Sequence, residues 1–118
     1  MLSSDDINKI WEKGRIVDGY DPAIIRKDAC GAWILKGERG KTTLYGWEVD
    51  HVFPVSLGGD DRLINLRPMH WENNRSKGDD YPSYTARIQA DGNKNVENQS
   101  QYTVNEELRN KLKQIYKI

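Results

Sequence analysis

Cysteine and histidine are scarce in this 118-residue chain, which has one cysteine, Cys30, and two histidines. A single cysteine excludes an intramolecular disulfide framework and a zinc site built from four cysteines. Phenylalanine occurs once and apolar residues make up 36% of the chain, so four tryptophans and six tyrosines must supply much of the buried area. No segment approaches the roughly 20 apolar residues of a membrane-spanning helix. The sequence therefore predicts one modest core and no membrane association.

Net charge is also lacking, because 18 Lys and Arg residues balance 18 Asp and Glu residues. Global charge therefore gives no indication of nucleic-acid binding. The local distribution is uneven: residues 48–61 contain four acidic and no basic side chains, whereas residues 62–77 contain four basic and one acidic. An acidic pocket beside a basic strip would suit phosphodiester chemistry, although ordinary mixed surface charge explains the pattern equally well.

The length fits a single domain. The first residues, MLSSDDINKI, contain neither a basic segment nor an apolar run. We therefore expect no signal peptide and a cytoplasmic location.

Helical patterns occur near both ends of the chain. Ser4 is a candidate N-cap for a short amphipathic helix that Gly14 would end. Near the C-terminus, Thr103 and Glu106 have the spacing of a capping box, and the apolar stripe that follows predicts a helix at 104–116.

The middle of the chain reads as strands and one helix. The segments ACGAWILKG and TLYGWEVDHVF, separated by ERGKT, predict a hairpin, and LINLRP predicts a short return strand. HWENNRSKG predicts a helix that Gly78 ends. The polar segment 79–103 predicts a long, partly ordered loop or an extended arm.

The segment 47–77 contains the residues that suggest chemistry. Asp50 stands beside His51, and asparagines follow at positions 65 and 74. A carboxylate and an amide oxygen can hold a hard cation, and an imidazole can activate water near neutral pH. The spacing therefore suits a nuclease site with one metal ion.

The stretch WEVDHVFPVSLGGDDRLINLRPMHWENNRSK resembles the motif of the HNH nucleases, which have the ββα-metal fold. The resemblance implies an α+β protein with a core of a two-stranded hairpin and a helix, flanked by N- and C-terminal helices. We expect one HNH domain over residues 1–118, for which the resemblance implies a core at about 30–80. The polar arm at 81–103 and the C-terminal helix at 104–116 are predicted from the sequence pattern alone.

The resemblance also assigns roles to the motif residues. His51 would be the general base. Asp50 and Asn74 would hold one divalent cation, with Mg²⁺ favoured and Mn²⁺, Ni²⁺ or Zn²⁺ left open. Asn65 would act in catalysis indirectly, by steadying the loop and orienting His51.

Other polar residues of the motif leave alternatives open. His70 could contact metal or phosphate, or only brace the helix, and we favour the structural role. Arg67, Arg75 and Lys77 are candidate phosphate contacts in nucleic-acid binding. Their alternative role is charge pairing with Asp79 or Glu72.

Many relatives carry two Cys-x-x-Cys pairs around a structural zinc ion. Here Cys30 would begin the first pair, but the remaining positions hold Trp33, His70 and Asn73. We therefore expect no structural zinc. Packing by Trp33, Trp47 and Trp71 is the expected substitute.

The resemblance thus implies a metal-dependent endonuclease that cleaves DNA, with duplex DNA as its partner. A homodimer is one route to double-strand cleavage. Two alternatives are a non-catalytic nucleic-acid-binding module on the same fold and an RNA-cleaving nuclease.

Overall fold

The computed structural model describes residues 2–118 and contains both helices and antiparallel strands. The helices are α1 (Ser4–Trp11), α2 (Trp71–Lys77) and α3 (Glu106–Tyr116). The strands are β1 (Ile25–Lys27), β2 (Trp33–Leu35), β3 (Trp47–His51), β4 (Leu66–His70), β5 (Ser83–Asp91) and β6 (Lys94–Thr103). They form three two-stranded sheets, β1–β2, β3–β4 and β5–β6. This mixture agrees with the predicted α+β class.

The first predicted hairpin is wrong in its pairing, because β2 pairs with β1 rather than with β3. Lys27 lies opposite Trp33, and the intervening turn is closed by Asp28, whose Oδ1 accepts the backbone N–H groups of Cys30 and Ala32, each at 2.9 Å. This turn of five residues costs less loop entropy to close than the longer connection from β2 to β3 would cost.

The central order of strand, loop, strand and helix agrees with the sequence-based expectation. Strand β3 pairs with β4 so that Asp50 lies opposite Arg67 and His51 opposite Leu66. Helix α2 follows β4 directly and ends at Gly78, as predicted, where the Gly78 N–H donates to the Asn74 carbonyl. The segment 52–65 connects the two strands and lies beside α2.

Of the two alternatives predicted for residues 79–103, the partly ordered loop is wrong, because most of this segment forms the extended β5–β6 hairpin. Strand β5 buries Tyr84, Ala86 and Ile88 and packs against α2, whereas β6 is largely exposed. Gly92, with φ of +63°, provides the turn between the two strands. A strand with one or two solvent-exposed faces has the same polar composition as a loop, which is why these strands were not predicted.

Both ends of α1 differ from the prediction. The N-cap is Ser3, and the side chains of Ser3 and Asp6 each accept the other residue's backbone N–H in a capping box. The predicted cap, Ser4, is the first helical residue, and the helix ends at Trp11 rather than at Gly14.

Helix α3 is present as predicted, but its cap is Asn105, whose side chain accepts the Leu108 N–H at 2.8 Å. Thr103 is the last residue of β6, so the predicted capping box does not form. The apolar stripe does face the core: Val104 and Leu112 are buried.

Two apolar clusters lie on either side of the β3–β4 hairpin. In the first, α1 packs against the sheets, with the rings of Trp11 and Trp47 at 5.3 Å between centroids. The second joins the hairpin to β5 and α3 and includes Phe53, Met69 and Leu112. The hairpin is thus the shared centre of the fold. No helix in the range 2–118 has the length and apolarity to cross a membrane.

Candidate functional site

Asp50, His51 and Asn74 line one pocket of about 240 Å³, where the end of β3, the following loop and α2 meet. Asp50 and His51 are the last two residues of β3, so their side chains leave the strand on opposite faces, and both line the pocket because it lies at the end of the strand. Val49, Pro54, Val55, Gly78 and Asp79 complete the lining. A larger cavity of about 610 Å³ beside Ile24 and Leu35 contains none of the predicted site residues. Chemistry rather than size therefore identifies the candidate site.

Asp50 is almost completely buried and is held by two cations. Its Oδ2 accepts from Arg67 Nε at 2.8 Å, and Lys77 Nζ lies 3.2 Å from its Oδ1. Lys77 also donates to the His51 carbonyl at 3.1 Å. Each carboxylate oxygen has more than one lone pair, so Asp50 keeps capacity for a further ligand on the pocket side. The carboxylate is therefore fixed in place, with each oxygen already facing one cation.

The side chains of Arg67 and Lys77 are largely buried beside Asp50, whereas a phosphate contact needs an accessible cation. The side chain of Lys77 is 0% exposed and that of Arg67 is 13% exposed. Charged groups are buried in proteins almost only with a partner, and here the partner is Asp50 rather than Asp79 or Glu72. To contact nucleic acid, each of these two cations would first have to leave the buried carboxylate.

Asn74 and Arg75 meet the same acidic residue. Asn74 Nδ2 donates to Glu48 Oε1 at 3.1 Å, and Arg75 Nη2 donates to Glu48 Oε2 at 3.0 Å. A carboxylate only accepts hydrogen bonds, so Glu48 fixes the amide nitrogen of Asn74 toward itself and leaves the amide oxygen for another partner. Arg75 is 56% exposed and lies over the Trp71 ring at 5.1 Å. Of the three predicted phosphate contacts, Arg75 is the one at the surface.

His51 has a partner that the sequence did not indicate. Its Nε2 lies 2.7 Å from Asp61 Oδ1, in the loop that connects β3 to β4. The His51 side chain is 29% exposed and that of Asp61 58%. Asp61 lies ten residues along a loop without periodicity, so only the folded structure brings the two side chains together.

Asn65 is completely buried and holds the chain that follows His51. Its Oδ1 accepts the Phe53 N–H at 2.7 Å, and its Nδ2 donates to the carbonyls of Phe53 and Asp60 at 3.0 and 3.1 Å. Gly59 belongs to the same close packing, since a Cβ there would lie 1.8 Å from the Phe53 carbonyl oxygen. These bonds fit the loop-steadying role, while the imidazole of His51 is bound by Asp61 instead.

His70 lies outside the pocket and caps helix α2. Its Nδ1 accepts the Glu72 N–H at 3.1 Å, so its Nε2 carries the proton and donates to the Leu44 carbonyl at 2.9 Å. The residue is 1% exposed. Both ring nitrogens are therefore occupied in holding the backbone, and the structural alternative for His70 is the one that fits.

A buried hydrogen-bond network joins Cys30, His70 and Asn73, three of the four positions that the resemblance assigns to a structural zinc site. Asp28, whose Oδ1 closes the β1–β2 turn, accepts with Oδ2 from the His70 N–H at 2.9 Å and from Asn73 Nδ2 at 3.1 Å. Asn73 also binds the backbone of β5, where its Oδ1 accepts the N–H of Ile88 at 2.8 Å. Burial raises the pKa of the nearby Cys30 thiol to about 12, which keeps it neutral. Aromatic packing was expected to take the place of a structural zinc ion, but polar groups of Asp28, His70 and Asn73 join this part of the fold.

Within the described residues, no group of three or more His, Cys, Asp or Glu side chains converges as a metal site. A cation in the pocket would therefore depend on the amide oxygen of Asn74 beside the carboxylate of Asp50. That pair of oxygen donors is suited to hard cations.

Comparison with protein-family models gives one match, to an HNH endonuclease family, over residues 42–83. The matched segment begins before β3 and ends where β5 starts, so it contains the whole pocket lining. Neither the comparison with curated proteins nor that with solved structures found a match. The resemblance inferred from the motif is confirmed over residues 42–83, which match the model of an HNH endonuclease family.

Proposed function

We propose that the chain is a metal-dependent endonuclease that hydrolyses DNA phosphodiester bonds in the pocket of Asp50, His51 and Asn74. The observation that carries the proposal is the convergence of the neighbouring Asp50 and His51 with the distant Asn74 on one pocket inside the family match. In this reading, β3, the connecting loop, β4 and α2 are the ββα-metal core.

Asp50 and Asn74 would hold the divalent cation. One carboxylate and one amide oxygen leave most coordination positions to water and phosphate, which is the mode of binding that Mg²⁺ prefers. The bound cation would stabilise negative charge on the scissile phosphate and on the leaving 3′ oxygen. Mn²⁺, Ni²⁺ and Zn²⁺ are the other candidates to test.

His51 would take a proton from the attacking water. A neutral imidazole accepts a proton near pH 7, and such general-base catalysis contributes about 10²- to 10⁴-fold in rate. The products would be a 5′ phosphate and a 3′ hydroxyl. Arg75, the exposed cation beside Asn74, would contact a phosphate of the same strand.

One pocket cuts one strand, so double-strand cleavage requires a second copy of the chain or a second event. A single site therefore predicts nicking as the first product from supercoiled DNA.

The test is a plasmid-nicking assay with EDTA, Mg²⁺, Mn²⁺, Ni²⁺ and Zn²⁺ in parallel. Metal-dependent relaxation by the wild type, reduced about 10²- to 10⁴-fold in His51→Ala, is expected. Asn74→Ala should weaken Mn²⁺ binding measured by calorimetry. Asn110→Ala, an exposed asparagine on α3, is its matched control and should leave binding unchanged. Full activity in His51→Ala would refute the proposal.

The same assay separates the alternatives. Metal-independent DNA binding with no cleavage would favour a non-catalytic module. Faster cleavage of single-stranded RNA than of duplex or single-stranded DNA would favour an RNA-cleaving nuclease.

A further inference from the structure

The contact between His51 and Asp61 defines which nitrogen of the imidazole is free. An ionised carboxylate has no proton to donate, so the 2.7 Å contact requires His51 Nε2 to carry the hydrogen. In the neutral ring the other nitrogen, Nδ1, then holds the lone pair. The nitrogen that can accept a proton is therefore set by a residue of the loop.

The loop that carries Asp61 is itself anchored from two sides. Tyr116 of α3 donates its hydroxyl to Asp60 Oδ1 at 2.6 Å, and that hydroxyl accepts the Asp60 N–H at 3.3 Å. On the other side, the carbonyl of Asp60 is bound by Asn65. The residue before Asp61 is thus held to the C-terminal helix and to the core, although Asp61 itself is exposed.

We propose that Asp61 is a positioning residue for the nuclease reaction, which binds Nε2–H of His51 and presents Nδ1 as the proton acceptor. The inference rests on the proposed function for its catalytic consequence, but the contact can be tested without activity. An exposed ion pair adds little to stability, so the expected effect is on the orientation of the ring. A partner that orients a functional histidine is commonly worth about 10- to 100-fold in activity.

The anchoring of the loop explains how the exposed contact between His51 and Asp61 can fix the orientation of the imidazole. A free loop would let Asp61 sample many positions, and the imidazole would rotate with it. Because the backbone of Asp60 is bound through its N–H by Tyr116 and through its carbonyl by Asn65, the backbone that carries Asp61 is held in place. Preorganisation of this kind lowers the entropy lost when the reactive geometry forms.

The first readout is NMR of the imidazole nitrogens by long-range ¹H–¹⁵N correlation at a pH where the rings are neutral. The chain has only two histidines, and His70 Nε2 is bound to a backbone carbonyl, so its signals are an internal reference. In the wild type, His51 should show a protonated Nε2 and a bare Nδ1. In Asp61→Ala, the His51 nitrogens should shift toward a mixture of the two tautomers while those of His70 stay unchanged.

The second readout is steady-state cleavage. Asp61→Ala should lower kcat about 10- to 100-fold with little change in KM, and Asp61→Glu should recover part of the loss. Asp80→Ala, an exposed acidic residue outside the pocket lining, should leave kcat unchanged.

The outcomes distinguish this inference from the proposed function. Unchanged His51 nitrogen signals in Asp61→Ala, or an unchanged kcat, would overturn the role of Asp61 while leaving the nuclease intact. A wild type that cleaves no substrate would instead refute the nuclease, whatever the NMR result.

Discussion

Replacing Asp28 with asparagine tests whether a buried hydrogen-bond network holds together the β1–β2 turn, His70 and Asn73. Asp28 is 0% exposed and accepts four hydrogen bonds, two on each carboxylate oxygen. Asparagine has only one acceptor oxygen. Its NH₂ group would stand where the second carboxylate oxygen stood and would face two N–H donors. Asp28→Asn therefore removes at least two charge-assisted bonds without changing the size of the side chain.

The magnitude follows from those two bonds. Hydrogen bonds to charged groups are worth about 1.5–3 kcal/mol each, so the loss is about 3–6 kcal/mol. Domains of this size have a free energy of unfolding of about 5–15 kcal/mol. Asp28→Asn should therefore lower Tm by roughly 10 °C or more, and near the upper limit it would leave the chain unfolded.

Urea denaturation followed by tryptophan fluorescence measures the effect directly. Asp80→Asn is the matched control, an exposed aspartate that should change the free energy of unfolding by less than about 0.5 kcal/mol. A loss below about 1 kcal/mol in Asp28→Asn would refute the reasoning. Asn73→Ala should combine non-additively with Asp28→Asn, since the two residues share a bond.

Two further predictions concern the surroundings of the site. Lys77→Met keeps the apolar stem but leaves Asp50 with one cation, so we expect the free energy of unfolding in urea to fall by about 3 kcal/mol. The control Lys111→Met breaks an exposed helical pair and should lower it by about 0.5 kcal/mol or less. Equal losses in the two variants would contradict the prediction. The hydrogen bond from Tyr116 lowers the pKa of Asp60. Its contribution to the free energy of unfolding is therefore complete above the ordinary aspartate pKa of about 3.9, and it is lost as pH falls through the lowered pKa of the folded protein. Tyr116→Phe should therefore be less stable than wild type at pH 6 by thermal melting, with a smaller difference near pH 2; a difference that grows toward low pH would contradict this.

The parts of the fold that sequence predicted are those with a local signal. Helix α2 ends at Gly78 because a glycine can adopt the backbone angles that close a helix. The strand–loop–strand–helix order around His51 follows from apolar runs separated by glycine, proline and aspartate. The role of steadying the loop was implied for Asn65 by its place in the motif, and its bonds to the backbone of Phe53 and Asp60 are compatible with that role.

The parts that sequence missed depend on contacts between distant residues. The sequence around position 77 looks the same whether the lysine lies at the surface or is buried. Here it is buried against the carboxylate of Asp50, which is distant in sequence. The β5–β6 hairpin was hidden because an exposed strand and a loop share polar residues. Asp28 is likewise an ordinary turn residue until the fold brings His70 and Asn73 to its second oxygen.

The buried cations around Asp50 have a consequence for metal binding. Asp50, Arg67 and Lys77 together carry one positive charge, so a divalent cation alone, if held by Asp50 as proposed, would meet repulsion there. A phosphate group brings negative charge to the same pocket and offsets that repulsion. We therefore expect DNA to raise the affinity for Mn²⁺ and, by linkage, Mn²⁺ to raise the affinity for DNA by the same factor. Calorimetric titration of His51→Ala with Mn²⁺, with and without duplex DNA, measures this coupling without cleavage. Equal Mn²⁺ affinity in the two titrations would mean that the cations on Asp50 do not oppose the metal.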